Sequence, residues 1–376
     1  MRVAIIGCGF VADFYMQSLG LHPNLNLTAV TDRDATRLAE FCAYHRLNCA
    51  KPDIDAVLSD SSIGLIINLT NPDSHYEVSR RCLAAGKHVY SEKPVAMSFT
   101  QAAELSSYAT RKGLRLACAP CNVLGETAQT LWKALRERTV GEVKLVHAEM
   151  DDGLVFRMPY RKWLSDSGRQ WPYKDEFEVG CTLEHAGYYL TWLTTFFGPA
   201  RSINAFSACL YPDKHTDVPL DVESPDYSVA TIQFVSGVVA RLTCSIIAPK
   251  DHRLRIIGDT GVLSVQDCWD YRAPVTIKRM ISIRRKMLLS PIGRRVPSLR
   301  LAGTGRLPRH CNKMQFCRGV SEVVAAIEAD RESRLPNDFC LHNNELALAI
   351  HKASEGAGTY FLTTSFAPSL TPMTEA

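Results

Sequence analysis

The feature that most constrains the fold is a β-branched run halted by glycines. Met1-Arg2-Val3-Ala4-Ile5-Ile6 stops at Gly7-Cys8-Gly9-Phe10-Val11-Ala12, after which residues 13–19 read as helix. This strand–turn–helix order suits a dinucleotide. The first glycine allows the tight turn, the second lets backbone approach a pyrophosphate, and the third small residue, Ala12, lets helix and strand pack closely. The amides of Gly7, Gly9, Phe10, Val11 and Ala12 are therefore the expected cradle, at the positive end of the helix dipole.

Twenty residues past Ala12, the next apolar run ends in Thr31-Asp32-Arg33. A carboxylate there accepts hydrogen bonds from a ribose 2′-hydroxyl and repels a 2′-phosphate, which favours NAD over NADP. Arg33 blurs this preference, since a guanidinium can stack on adenine or hold a phosphate. Glycines alone would mark only a tight connection; the acidic residue at the end of the second strand is what lifts the motif.

From there to Cys118 strand and helix alternate. Residues 34–47 read as helix, 63–69 as buried strand, 74–85 as helix, 88–90 as strand, 100–112 as helix and 114–118 as strand. Alternation of this kind makes a doubly wound parallel sheet, with ligands at the strand carboxyl ends. Two segments fall at such ends: Thr70-Asn71-Pro72-Asp73-Ser74-His75 and Ser91-Glu92-Lys93-Pro94. Thr70, Asn71, Pro72, Glu92 and Lys93 are expected to face the cofactor. His75 either lines the same crevice or caps the helix that starts near Asp73.

After Pro120 the pattern changes. Helix is expected at 126–137, strand at 143–150, a long polar-aromatic loop at 151–178 and a helix at 183–197. Strand-like runs then follow one another at 202–210, 227–235, 238–247, 253–258 and 262–265, and helices at 313–329 and 343–357 finish the chain. Consecutive strands without helices imply a mostly antiparallel, open sheet. The expected fold is α/β: a Rossmann domain over 1–120 and an α+β substrate or oligomerisation domain over 121–376, with a homodimer or homotetramer formed through the C-terminal sheet.

Composition narrows the class. With 376 residues, 46% of them hydrophobic, the chain can bury a large core. It has no run of about 18 apolar residues to span a membrane, and its apolar start is too soon interrupted to be a signal peptide. Thirteen cysteines are scattered, with Cys118 and Cys121 the only C-x-x-C pair, so they read as reduced thiols of a cytoplasmic protein and no metal site is expected.

The arrangement resembles the Gfo/Idh/MocA family (glucose-fructose oxidoreductase, inositol dehydrogenase and relatives). The carriers are the glycine turn, the Thr70 to His75 segment, Ala85-Gly86-Lys87-His88-Val89-Tyr90-Ser91-Glu92-Lys93-Pro94, Gly180 to Leu190, and Arg255-Ile256-Ile257-Gly258-Asp259-Thr260-Gly261-Val262-Leu263. The resemblance implies hydride transfer between a nicotinamide and a carbon bearing a hydroxyl or ketone on a sugar, cyclitol or nucleotide-sugar. It makes Lys93 the active-site lysine, whose ammonium stabilises charge developing on the reacting oxygen. It also implies that Glu92 contacts the cofactor ribose or orients Lys93, and that Pro94 sets the loop, often through a cis bond.

Many relatives carry Asp and His four residues apart on a helix; here Gly180-Cys181-Thr182-Leu183-Glu184-His185-Ala186-Gly187-Tyr188-Tyr189 puts His185 and Tyr189 at those places. The i, i+4 spacing would set both on one helical face. Tyr189 is the expected acid/base, its pKa lowered by Lys93, and His185 orients substrate or relays the proton. The competing reading packs Tyr189 with Tyr188 and Trp192 in a core stripe.

Two further features bear on substrate. Arg157, Tyr160, Trp163 and Trp171 lie in the aromatic-rich 151–178 loop, suited to stacking on sugar rings and binding phosphates, or to an oligomer contact. Residues 271–321 contain thirteen Lys or Arg and no acid, leaving thirty basic against thirty-nine acidic residues elsewhere. This basic insertion, over about 271–312, either closes on an anionic substrate such as a nucleotide-sugar, touches an acidic partner or membrane surface, or is a solvated loop. Nothing matches a nucleic-acid module. Besides redox turnover, two readings stay open: an enzyme that retains NAD and performs net hydrolysis, elimination or epimerisation, and a non-catalytic NAD-binding regulator.

Overall fold

The computed structural model describes residues 1–301, 308, 311–356, 358–367 and 372–373. Two compact units emerge: one from the described parts of 1–121, 159–179 and 305–348, the other from those of 122–158, 180–304 and 349–376.

The first unit opens with β1 (Arg2–Ile6), α1 (Phe10–Leu19), β2 (Asn26–Thr31), α2 (Ala35–His45), α3 (Ile54–Leu58), β3 (Leu65–Asn68), α4 (His75–Ala84), β4 (His88–Ser91), α5 (Phe99–Arg111) and β5 (Leu116–Cys118). Its strands form one parallel sheet in the order β2-β1-β3-β4-β5. Val3, Ala4 and Ile5 and the whole of β3 are buried, as parallel strands covered on both faces must be. Asp34 caps α2 and Ser98 caps α5, each side chain accepting a first-turn amide. The strand order reverses about β1, which places the glycine turn at the switch point where such sheets bind ligands.

The chain continues through α6 (Glu126–Arg136), β6 (Val143–Asp151), α7 (Tyr173–Val179), α8 (Cys181–His185) and α9 (Gly187–Phe197). Then come β7 (Ala200–Ala208), β8 (Tyr227–Phe234), β9 (Val239–Ser245), β10 (Leu254–Gly258), β11 (Gly261–Val265), β12 (Thr276–Ile283), β13 (Lys286–Leu289) and β14 (Arg294–Arg295). α10 (Cys317–Glu328), α11 (Asn337–His351) and β15 (Tyr360–Phe361) complete it. The second sheet runs β13-β12-β11-β10-β6-β9-β8-β7-β15, with β14 beside β12. Its pairings are antiparallel except β6 with β9. Burial alternates along β8, with Ala230, Ile232 and Phe234 turned into the core, as in a sheet covered on one face.

Four expectations need correction. The 151–178 stretch is not one long loop: it ends in α7, and its part from 159 joins the first unit. Asp13 on α1 takes hydrogen bonds from the Ser167 amide at 2.9 Å and hydroxyl at 2.8 Å, and Arg169 pairs with Glu40. The C-terminal helices also belong mainly to that unit, because the Phe316 ring lies 5.3 Å from Phe14 and Asn337 donates to the Ser106 carbonyl oxygen at 2.8 Å. The expected 183–197 helix is two helices interrupted at Ala186. Finally, part of the basic tract is sheet: half-buried β12 and exposed β13 form a hairpin turned at Arg284-Arg285. Arg306 and Arg309 of that tract lie outside the described residues.

Candidate active site

The cofactor half is built by the strand ends of the first unit. Gly7 has φ +101, and a Cβ there would sit 2.6 Å from the Leu69 carbonyl oxygen, so only glycine fits. At Gly9 an added Cβ would meet nothing within 4 Å. That opening lies at the first turn of α1, where Phe10 and Val11 are half-buried and Ala12 is fully buried against the sheet. A tight turn, an open amide-lined approach and a buried third small residue suit a pyrophosphate.

Asp32 closes this half. Its Oδ2 accepts the Cys8 amide at 2.7 Å and its Oδ1 the Asp34 amide at 2.8 Å, so the carboxylate is held against the glycine turn. The guanidinium beside it belongs to Arg37, at 3.5 Å, while Arg33 is exposed. Arg33 precedes the Asp34 cap whereas Arg37 stands in the first turn of α2, and Arg37 is the residue that sequence position alone did not single out.

Glu92 is 6% exposed and works through backbone and helix. Its Oε1 accepts the Tyr15 hydroxyl of α1 at 2.7 Å and its Oε2 the Lys93 amide at 3.1 Å, which fixes Lys93 relative to the glycine-turn helix. The Lys93–Pro94 peptide is cis. His75 neither lines a crevice nor caps a helix. It is fully buried, with Nδ1 2.7 Å from the Pro94 carbonyl oxygen and Nε2 2.9 Å from that of Thr70. Burial pushes its pKa below the usual value, the two carbonyls offsetting part of the shift. Its ring thus ties the loop after β3, including half-buried Thr70, Asn71 and Pro72, to the loop carrying Lys93.

The second unit holds a different constellation. His185, at the end of α8, has Nε2 3.1 Å from Asp152 Oδ2, and its side chain is 17% exposed. Asp152, just past β6, also meets His252 Nε2 at 2.8 Å through Oδ1. Burial alone would raise the Asp152 pKa, but the charges of His185 and His252 outweigh it and hold the group below the usual carboxylate range. A histidine paired to an oriented carboxylate can exchange a proton.

Tyr189 does not share that environment. Its side chain is completely buried, packs edge-on to Trp192 at 5.8 Å, and donates its hydroxyl to the His252 backbone carbonyl oxygen. Burial drives its pKa well above the usual tyrosine value, opposite to the expected lowering. The core-stripe reading describes it. The backbone stays helical through Ala186, so both side chains reach the His252 region as the i, i+4 spacing implies; complete burial and a backbone partner set Tyr189 apart from His185.

The aromatic segment packs largely on itself. Tyr160 is 2% exposed and meets Trp171, Tyr173 and Phe177, so it is a core residue rather than a substrate contact. Trp163 stacks edge-on to Trp171 at 5.1 Å, both half-buried, and exposed Arg157 lies over the Phe156 ring. Asp152, His252, Asp267 and Trp269 escaped sequence reasoning because no fixed spacing joins them; the sheet brings them together.

Residues 1–119 match the oxidoreductase family with NAD-binding Rossmann fold, and residues 128–264 match the GFO/IDH/MocA C-terminal domain. The trans-1,2-dihydrobenzene-1,2-diol dehydrogenase of Sus scrofa is 23% identical over 274 residues, covering 72% of this chain and 75% of that one. An NAD-binding oxidoreductase from Klebsiella pneumoniae superposes with TM-score 0.76 at 19% identity, over 97% of this chain and 99% of that one. The WlbA dehydrogenase from Bordetella pertussis, in complex with NADH and UDP-GlcNAcA, gives TM-score 0.73 at 17% identity over 97% and 98%. The chain is therefore an NAD(P)-dependent oxidoreductase of the Gfo/Idh/MocA family.

Proposed function

We propose that this protein moves hydride between NAD and a hydroxyl- or keto-bearing carbon of a sugar or nucleotide-sugar, with Lys93 stabilising the reacting oxygen and His185 exchanging the proton. The pairing of His185 with Asp152 carries the assignment, because it gives an imidazole an oriented carboxylate partner, whereas Tyr189 is completely buried and donates to a backbone carbonyl. The nicotinamide, when bound, supplies or takes the hydride. Amides of the glycine turn hold the pyrophosphate, and Asp32 accepts the ribose hydroxyls, favouring NAD over NADP. Glu92 and His75 set the loop from which the Lys93 ammonium meets developing negative charge. Asp152 accepts a hydrogen bond from the Nε2–H of His185, which orients the ring and stabilises it as imidazolium when it takes a proton on the other nitrogen.

The nucleotide-sugar bound by the Bordetella relative and the basic character of this chain's second sheet support an anionic substrate. Thirteen free cysteines fit the reducing cytoplasm. Among the described residues no helix is long and apolar enough to cross a membrane. The large sheet, with Leu145, Phe206 and Leu288 exposed, serves a homodimer or homotetramer; light scattering giving a monomer mass refutes that part.

A panel of sugars and nucleotide-sugars read at the nicotinamide absorbance tests the activity. Lys93→Met and His185→Asn should each lower kcat by about a hundredfold or more on the substrate found. Turnover within threefold of wild type in either variant removes that residue from the chemistry.

A further inference from the structure

Asp152 holds two imidazoles at once, His185 on Oδ2 at 3.1 Å and His252 on Oδ1 at 2.8 Å. Beyond it, His252 Nδ1 lies 3.4 Å from Asp267 Oδ1. Trp269 rests against both rings, with centroids 6.0 Å from His185 and 4.4 Å from His252, and the Lys250 ammonium sits 5.2 Å over the indole. The Tyr189 hydroxyl anchors the His252 backbone from the other side. The His252 side chain is 1% exposed, whereas Asp267 is 29% exposed and lines a surface cavity of about 330 Å³ with Lys250, Asp251, Arg253 and Gln266.

We infer that His252 is the outer half of a proton-exchange pair with His185, coupled through Asp152 and vented through Asp267 to this cavity. The inference rests on the proton role of His185 proposed above. One carboxylate between two imidazoles compensates one positive charge well and two poorly, so the rings compete for a single proton. During substrate oxidation the substrate O–H bond breaks as an N–H bond forms on His185. The His252 ring then loses its Nδ1 proton through Asp267 to solvent, while Asp152 stays a carboxylate and the hydride goes to the nicotinamide. After product leaves, the partly exposed His185 gives its proton to solvent and His252 takes one back through Asp267, so one proton is released per turnover and both rings are reset. Reduction runs the same steps backwards. Protons are thereby exchanged with solvent away from the hydride, at a position set by His252.

The groups facing His252 agree with this role. Burial and the Lys250 charge oppose its protonation, but hydrogen bonds to Asp152 and Asp267 prevail and hold its pKa above the ordinary histidine value. Asp251, its chain neighbour, is occupied by Arg253. Tyr189 donates its hydroxyl to the His252 backbone, lies beside the Cys268 thiol, and is held uncharged by burial.

Ring-nitrogen NMR titration of the histidines in the full ligand-free chain tests the coupling, with signals assigned by substitution. His252→Gln should raise the proton affinity of His185 about tenfold, and Asp267→Asn should lower that of His252 about threefold and raise that of His185. If His252→Gln does not fold, the partly exposed Asp267 still carries the test. A His185 titration that stays in place to within about 0.2 pH units in the folded variants overturns the inference. Because no substrate is involved, the outcomes separate. Coupled rings with a fully active His185→Asn would remove His185 from the chemistry, and the relay with it, while leaving the electrostatic coupling; uncoupled rings with an inactive His185→Asn would sink the relay and leave the proton role of His185 standing.

Discussion

The Tyr189 hydroxyl donates to the backbone carbonyl oxygen of His252. Tyr189 thus touches the Asp152–His185–His252 cluster by holding the backbone of one of its members. Tyr189→Phe should cost about 1 kcal/mol of stability, the net worth of one buried hydrogen bond, and change kcat by only a few-fold. Thermal melts and steady-state rates measure the two effects; a hundredfold loss of kcat in a normally folded variant would return Tyr189 to the chemistry.

His75→Ala leaves the Thr70 and Pro94 carbonyls facing a buried void. Stability should fall by roughly 2–4 kcal/mol, and NADH should bind more weakly because the loops after β3 and β4 lose their link. Denaturant melts and NADH fluorescence titration report each loss, and unchanged NADH affinity would limit His75 to packing.

The two glycines of the turn should separate folding from binding. Gly7→Ala forces a Cβ to 2.6 Å from the Leu69 carbonyl oxygen at φ +101, so it should destabilise the cofactor-free protein. Gly9→Ala has room and an ordinary φ of −78, so its melting temperature should match wild type while NAD affinity falls at least about tenfold. Undiminished NAD binding by Gly9→Ala would show that the pyrophosphate lies elsewhere.

Asp32→Asn removes the charge that repels a 2′-phosphate and leaves Arg37 beside the site. The ratio of kcat/KM for NADH over NADPH should drop by about tenfold or more. A ratio that does not move would assign cofactor choice to other residues.

Acid should weaken the fold through histidines buried in neutral form. His22 and His351 are pushed down to about 4, chiefly by burial and secondarily by Arg318 and Lys352. The unfolded chain takes up these protons near 6.5, so stability falls as pH drops from there toward 4, by about 3 kcal/mol per residue at the bottom of the window. His252 acts oppositely, its raised pKa adding stability as pH falls through it and losing that contribution as pH rises. His22→Gln should flatten the acid limb in denaturant midpoints between pH 7 and 4.5; an unaltered limb would show that His22 is protonated in the fold.

The first sheet was legible in sequence because each of its signals is local. The halt at Gly7 and Gly9, the acidic end of β2 and the Glu92-Lys93-Pro94 loop are set by backbone demands within a few residues, and continuous apolar strands announce burial on both faces. The basic hairpin was not legible, since β12 and β13 alternate weakly and gain their place by pairing at the edge of β11. The fate of Tyr189 was likewise undecidable: helical spacing gives the direction of a side chain but not its depth, and Tyr189 is completely buried where His185, four residues before it, is partly exposed. Chain-local chemistry thus determined the glycine turn, the acidic residue at the end of β2 and the lysine loop. Only tertiary structure could bring Asp152, His185, His252 and Asp267 together from four separate segments, because burial and charge pairing depend on neighbours that are distant in the chain.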